Sequence, residues 1–233
     1  MKTLIYDNTI NGFLSSIFYS YKNQELGDKI MANVEFDGKE TSNCIKIDTN
    51  LEAANKIKEA IIKVAGNALF EEISTVFYSA NENKSSVLFD YIKLIFVFGK
   101  KVRLMLNDKT VIAYNSLLKT VAYERHSAIS SIKFENTSEN VLYAKISPKN
   151  NITELLLSHF ANKLNGNTFI IHDTNRNVLG IYSNVTNSFF TYNLKDNLVP
   201  STVVNNSNVF ETLWKQIPHL NAQAQFVSQL QTA

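Results

Sequence analysis

The chain has 233 residues, 45% of them hydrophobic and 19% charged, so it is long enough to bury a sizeable core and too apolar to stay disordered. Its 23 Lys and Arg against 21 Asp and Glu are too even for a dedicated nucleic-acid binder, although such a sum still leaves room for a local basic face. One cysteine, Cys44, excludes an internal disulfide and any multi-thiolate metal or iron–sulfur site, and it fits a reducing compartment.

Leu4-Ile5-Tyr6 predicts a first strand ending at Asp7. Thr9 then caps a helix whose apolar positions Ile10, Phe13, Leu14, Ile17, Phe18 and Tyr21 recur at spacings of three and four. Residues 23–41 are polar and read as a loop holding a short helix, and Cys44, Ile45 and Ile47 suggest a second strand. From Thr49 the pattern is helical. Thr49 or Asn50 caps a helix through Ala53, Ile57, Ala60, Ile61 and Val64, with Gly66 as its stop. A second helix carries Leu69, Ile73, Val76 and Phe77. A third runs from Ser85 or Ser86 through Leu88, Tyr91, Ile92, Ile95 and Phe96 to Gly99. A short fourth spans Val102 to Leu106, and Asp108 opens a last one reaching about His126. The most apolar run, Val87 to Phe98, is broken by Asp90 and Lys93 and is too short to span a bilayer. The opening MKTLIYDN has no secretory apolar core. A cytoplasmic location and no membrane partner are therefore expected.

After Ser130 the periodicity shifts toward two. Ile132 and Phe134 alternate with Ser131 and Lys133, residues 136–140 suggest a turn, and Leu142, Ala144 and Ile146 form the next strand. A helix over 152–164 buries Ile152, Leu155, Leu156 and Phe160. Strands near 168–172, 178–183 and 188–192 follow. Beyond them lie an irregular stretch from 193, a short helix over 209–217 stopped by Pro218, and a Gln-rich tail. The pattern predicts one α+β unit over 1–233. Its sheet is antiparallel and comes mainly from the C-terminal half (129–192) plus the N-terminal strand, with a helical subdomain inserted at 49–128 and an irregular segment and helix at 193–233.

No Walker loop, GxGxxG, HExxH, GxSxG or CxxC is present, which argues against P-loop hydrolysis, Rossmann redox chemistry and zincin proteolysis. No cofactor is indicated. Glu124-Arg125-His126 lies near a predicted helix C-terminus. His126 there either serves acid–base or phosphate chemistry or joins a cationic last turn that complements the helix dipole. His159 flanks the buried face of helix 152–164. His172-Asp173 closes the apolar run Phe169-Ile170-Ile171 at a strand end, where sites are commonly built. Asp173 equally suits an Asx-turn, and Arg176 at the following tip offers a planar fork for phosphate or carboxylate. Asp7 reads chiefly as part of the turn before the first helix. The four histidines show no metal-ligand spacing, and a site from His159, His172 and Asp173 is the weakest option. Phe189-Phe190-Thr191-Tyr192 with Lys195 offers rings for base stacking beside a cation, against the commoner arrangement of one core ring and one surface ring.

These residues carry a family resemblance. The chain resembles a bacterial family described as probable DNA-metabolism or DNA-repair proteins of unassigned activity. The shared features begin with Leu4-Ile5-Tyr6-Asp7, Gly12-Phe13-Leu14, Phe18 and Tyr21, and continue with Glu124 and His126. They are densest in Leu142-Tyr143-Ala144, Pro148, His159-Phe160 and Ile170-Ile171-His172-Asp173 with Arg176, and Leu213-Trp214-Lys215 follows. Members of that family commonly sit beside a predicted radical-SAM DNA-repair protein, and some are fused to a uracil-DNA glycosylase-like domain. This chain departs from the pattern at Ser127, Lys133 and Lys163, where the family tends to place Arg, and in its tail past Pro218, which has no second Trp. Lys keeps the charge of Arg but not its bidentate fork.

The resemblance implies a DNA metabolism or repair accessory protein that binds DNA or a repair enzyme. Arg125, Lys133, His159, Lys163 and Arg176 are the candidate nucleic-acid contacts. The alternative is a nucleic-acid-processing enzyme in which His172 or His126 is the acid–base group and Asp173 its partner. The third reading is a protein-interaction module that presents the apolar helical insertion.

Overall fold

Helix caps and glycine stops divide the first half of the chain as the apolar spacing requires. The computed structural model describes residues 2–22, 29–36, 43–137, 141–164, 166–184 and 186–194. The chain forms two compact units, one of Met1–His126 with Lys149–Ile152 and the other of Ser127–Pro148 with Thr153–Ala233. The expected helix over 209–217, the tail, Lys195 and parts of the loops at 23–41 and 136–140 lie outside the described residues.

In the first unit, β1 (Thr3–Tyr6) is the central strand of a three-stranded parallel sheet, between β2 (Lys29–Ala32) and β3 (Cys44–Lys46). Leu4 faces Ile30 on one side and Ile45 on the other. This corrects the expectation that the N-terminal strand joins the C-terminal sheet. The helix α1 (Ile10–Lys22) returns the chain so that β2 runs parallel to β1, and both faces of β1 are buried, as parallel strands require. β2 falls where a loop was expected. Its four residues, with only Ile30 and Ala32 buried, are too few to show a period.

The helices follow their caps. The Thr9 hydroxyl accepts from the Gly12 N–H at 2.9 Å, and Asn50 Oδ1 accepts from the Ala53 N–H at 2.9 Å to open α2 (Leu51–Ala65). Gly66, at φ 89°, ends α2 in a backbone region that disfavours side chains, and α3 (Asn67–Phe77) begins at once. α4 (Lys84–Phe98) leads through a 3₁₀ turn (Gly99–Leu104) toward α5 (Lys109–Ser131), whose first N–H groups are taken up by Asp108. One hydrophobic cluster joins the sheet to these helices. In it Tyr6 meets Phe13 edge-on, with ring centroids 5.6 Å apart, and Tyr91 stacks on Tyr114 at 3.6 Å.

The second unit holds a five-stranded sheet in the order β4 (Glu135–Asn136), β5 (Leu142–Ile146), β6 (Phe169–Asp173), β7 (Val178–Ser183), β8 (Ser188–Asn193). It is mixed rather than antiparallel throughout. β5 and β6 run parallel because α6 (Thr153–Lys163) carries the chain back between them, while the other pairs are antiparallel. The strand expected over 132–134 is displaced, since helix α5 continues to Ser131 and pairing starts only at Glu135. α6 packs on β6 and β7. A Cβ on Gly180 would lie 2.6 Å from Thr153 Cγ2 and 2.9 Å from Leu157 Cδ1, so glycine is what lets α6 approach the sheet. Register then assigns the faces. Ala144, Ile171 and Gly180 lie on the helix side, and their alternating neighbours Tyr143, His172 and Leu179 lie on the other.

Candidate functional site

The carboxyl end of β6 holds a dense polar arrangement among the described residues of the second unit. Asp173 is fully buried. Its Oδ1 accepts the N–H groups of Asn175 (3.0 Å) and Arg176 (3.1 Å), and its Oδ2 meets Arg176 Nη1 at 2.9 Å. The same Nη1 donates to the Pro148 carbonyl at 3.1 Å, which also receives Asn175 Nδ2 at 3.0 Å. Asp173 thus starts an Asx-turn and anchors the guanidinium that ties this turn to the segment after β5. Arg176 is neither a solvated tip charge nor an open fork, because its planar end is engaged within its own unit.

His172 points away from Asp173, since adjacent residues of a strand face opposite sides of the sheet. Its partner is Tyr143, a diagonal neighbour on β5, with the phenol oxygen 2.7 Å from Nδ1. Burial, then the nearby Lys145 ammonium, pushes the imidazole below its ordinary pKa, with Asp173 acting in the opposite sense. Burial, then Glu135, raises the Tyr143 phenol. The pair is therefore neutral: either the phenol donates to Nδ1 or the Nδ1–H donates to the phenol. His172 Nε2 is buried, and among the described residues no hydrogen-bond partner reaches it.

A second group gathers at the other end of the sheet, around Phe160 on α6. Phe134 meets the Phe160 ring at 5.0 Å and the Phe169 ring at 5.7 Å, and the His159 ring lies 5.1 Å from Phe160. Lys163 Nζ stands 5.8 Å from the centre of Phe160. Lys133, next to Phe134 in the chain, is exposed, as is Lys163. Of the sequence candidates, Lys133, His159 and Lys163 therefore share one end of the unit while His172, Asp173 and Arg176 share the other. Phe169 and Asp173 are four residues apart on β6, which at the rise of a strand is roughly 13 Å.

Arg125 and His126 belong to the first unit. α5 runs past them to Ser131, so they are not a cationic last turn and the dipole account does not apply. Their neighbour Glu124 accepts the Lys149 N–H (2.6 Å), the Asn150 N–H (2.8 Å) and Asn150 Nδ2 (2.6 Å). Asn150 Oδ1 in turn caps the Ala80 N–H at 2.9 Å. Glu124 is thus a structural clamp. Asp7 has a similar role, accepting from Thr9 and from the Thr49 hydroxyl (2.7 Å). Partial burial works against ionisation of Asp7, but the Thr49 and Thr9 hydrogen bonds outweigh it and lower its pKa.

Among the described residues no group of three His, Cys, Asp or Glu is placed to hold a metal. Phe189 and Phe190 are 43% and 37% exposed, so the expectation of one core ring and one surface ring gives way to two surface rings on the last strand of the sheet. Sequence reading missed the Tyr143 partnership. The signal was present in the spacing, since Tyr143 and His172 occupy one face once β5 and β6 are paired, but that pairing is not written in either strand alone.

A comparison with curated proteins finds no match. A family model described as a domain of unknown function, DUF4130, matches residues 82–219, a span that includes α4, α5 and every described strand of the second unit. That match covers more than half of the chain, and the protein belongs to the DUF4130 family.

Proposed function

We propose that this protein is a DNA-metabolism accessory protein that binds nucleic acid or a repair enzyme and does not turn over a substrate at the end of β6. The observation that supports this reading is the Phe160 end of the second unit. There Lys163, exposed, holds its ammonium 5.8 Å from the Phe160 ring, Lys133 is exposed next in the chain to Phe134, and the His159 ring lies beside Phe160. Lysines so placed suit phosphate as point charges without a bidentate grip. Catalysis through a His172–Asp173 pair is disfavoured, because the two side chains face opposite sides of the sheet and Asp173 is occupied by Arg176. The repair partner suggested by resemblance is a radical-SAM DNA-repair protein or a uracil-DNA glycosylase-like protein, and the location expected from the sequence is the cytoplasm.

Fluorescence anisotropy with single- and double-stranded oligonucleotides over a salt series tests the nucleic-acid half. The double variant Lys133→Ala, Lys163→Ala is expected to bind more weakly on every sequence and to lower the salt slope by about two. An unchanged affinity and slope would reject the assignment. Co-purification of a repair enzyme by a wild-type protein that binds no oligonucleotide would leave only the protein-partner half.

A further inference from the structure

The corner between α4 and α5 in the first unit carries large apolar side chains that its core leaves outside. Val97 is 72% exposed, Leu104 78% and Leu106 67%, and Phe98 beside them is also exposed. Exposed apolar residues scattered singly are ordinary, but four fall here within residues 97–106, from the last turn of α4 to just past the 3₁₀ turn. The turn is not a frayed end. Val102 within it is fully buried in the hydrophobic cluster, Met105 packs against the same cluster, and Arg103 is tied to Glu72 at 2.8 Å. With Val102 and Met105 turned inward as anchors, Leu104 and Leu106 are held outward.

Cations share this stretch. Lys100 and Lys101 lie in the turn itself, and both are exposed. The junction of α2 and α3 abuts it: a Cβ on Gly99 would meet the Val64 carbonyl at 3.2 Å, and one on Gly66 would meet Lys100 Cε at 3.5 Å. That brings exposed Val64 and Lys63 to the same corner. Among the described residues, ion pairs engage Lys56, Lys93, Arg103 and Arg176, and none engages Lys63, Lys100 or Lys101. Glu72 is used by Arg103 and Asp108 by the first turn of α5, and Glu59, one turn before Lys63 on α2, is the exposed acid that remains beside Lys63.

Against the expectation of no membrane partner, which rested on the lack of a spanning segment, we infer that this corner seats on an anionic membrane surface. Val97, Phe98, Leu104 and Leu106 enter the headgroup–acyl boundary while Lys63, Lys100 and Lys101 engage the lipid anions. Charge complementarity calls for a negative partner and disfavours a second copy of the same corner, which would bring like charges together. Three of the four apolar residues are aliphatic and offer no ring on which a base can stack, which disfavours single-stranded nucleic acid. They project singly from the end of α4 and the turn that follows it, and a fluid interface accepts such projections without a matched pocket. No described helix is long and apolar enough to cross a membrane.

Flotation of the full chain with vesicles of phosphatidylcholine alone, or mixed with phosphatidylglycerol, tests the proposal. Binding is expected only to the mixed vesicles and is expected to weaken with added salt. The Lys100→Ala, Lys101→Ala variant should bind about thirty-fold more weakly, at the usual worth of a lysine near an anionic surface. The Leu104→Ser, Leu106→Ser variant should lose at least about tenfold. Both variants should melt with the wild type, since the substituted side chains are exposed. Failure to float with mixed vesicles would overturn the proposal, as would undiminished binding of the leucine variant. A duplex oligonucleotide bound as tightly as the vesicles, and lost in the lysine variant but not the leucine variant, would reassign the corner to nucleic acid.

Discussion

The two ends of the second unit use the same residue types in opposite ways. At the carboxyl end of β6, Asp173 and Arg176 are consumed by internal bonds, the buried carboxylate holding a turn and a guanidinium, and His172 is enclosed with its Nδ1 hydrogen-bonded to Tyr143. At the Phe160 end, Lys133 and Lys163 are exposed beside aromatic rings. A strand-end His-Asp pair looks like chemistry in sequence, whereas isolated lysines do not, yet burial reverses that ranking. A polar group enclosed and satisfied by its own unit maintains the fold, and one left facing water is available to a partner.

The largest expected effect that tests this contrast is Asp173→Ala. Removing the carboxylate strands the Asn175 and Arg176 N–H groups and the guanidinium, and urea denaturation should record a loss of about 3–5 kcal/mol. A loss below about 1 kcal/mol would put Asp173 on a par with a surface charge and erase the distinction. Tyr143→Phe removes the partner of a buried imidazole nitrogen and should cost about 1–3 kcal/mol in the same measurement.

The titration of His172 sharpens the contrast further. The folded state lowers its pKa by burial and by Lys145, so the unfolded chain takes up the proton first, near its ordinary value of about 6.5. Folding stability should therefore fall as pH drops from about 7 toward 5 and recover above that range. Denaturation midpoints measured across these pH values for wild type and His172→Gln should show a shallower decline in the variant. Identical slopes would mean that the imidazole is as accessible folded as unfolded. The smallest effect belongs to the exposed end, where Lys163→Ala should change stability by no more than about 0.5 kcal/mol. A larger loss would make Lys163 part of the fold rather than of a binding surface.

Much of the architecture was legible in the residues. Caps at Thr9, Asn50 and Asp108 and the stop at Gly66 place the helices of the first unit, because each is a local hydrogen-bond or backbone requirement carried by one residue. β2 was missed because four residues with two buried side chains do not establish a period. The overrun of α5 past His126 was missed because the helix is largely exposed there and has no apolar stripe to mark its end.

Local order and fold class were decided by the sequence: helix starts and stops, the α+β composition, and the alternation that makes Leu142–Ile146 and Phe169–Asp173 strands. Pairing was decided only by tertiary structure. Whether β1 joins one sheet or forms the centre of another, whether β5 meets β6 in parallel, and whether His172 meets Tyr143 all depend on where distant segments dock. Hydrogen bonding and side-chain periodicity fix a strand's two faces, but they say nothing about which neighbour will cover each of them.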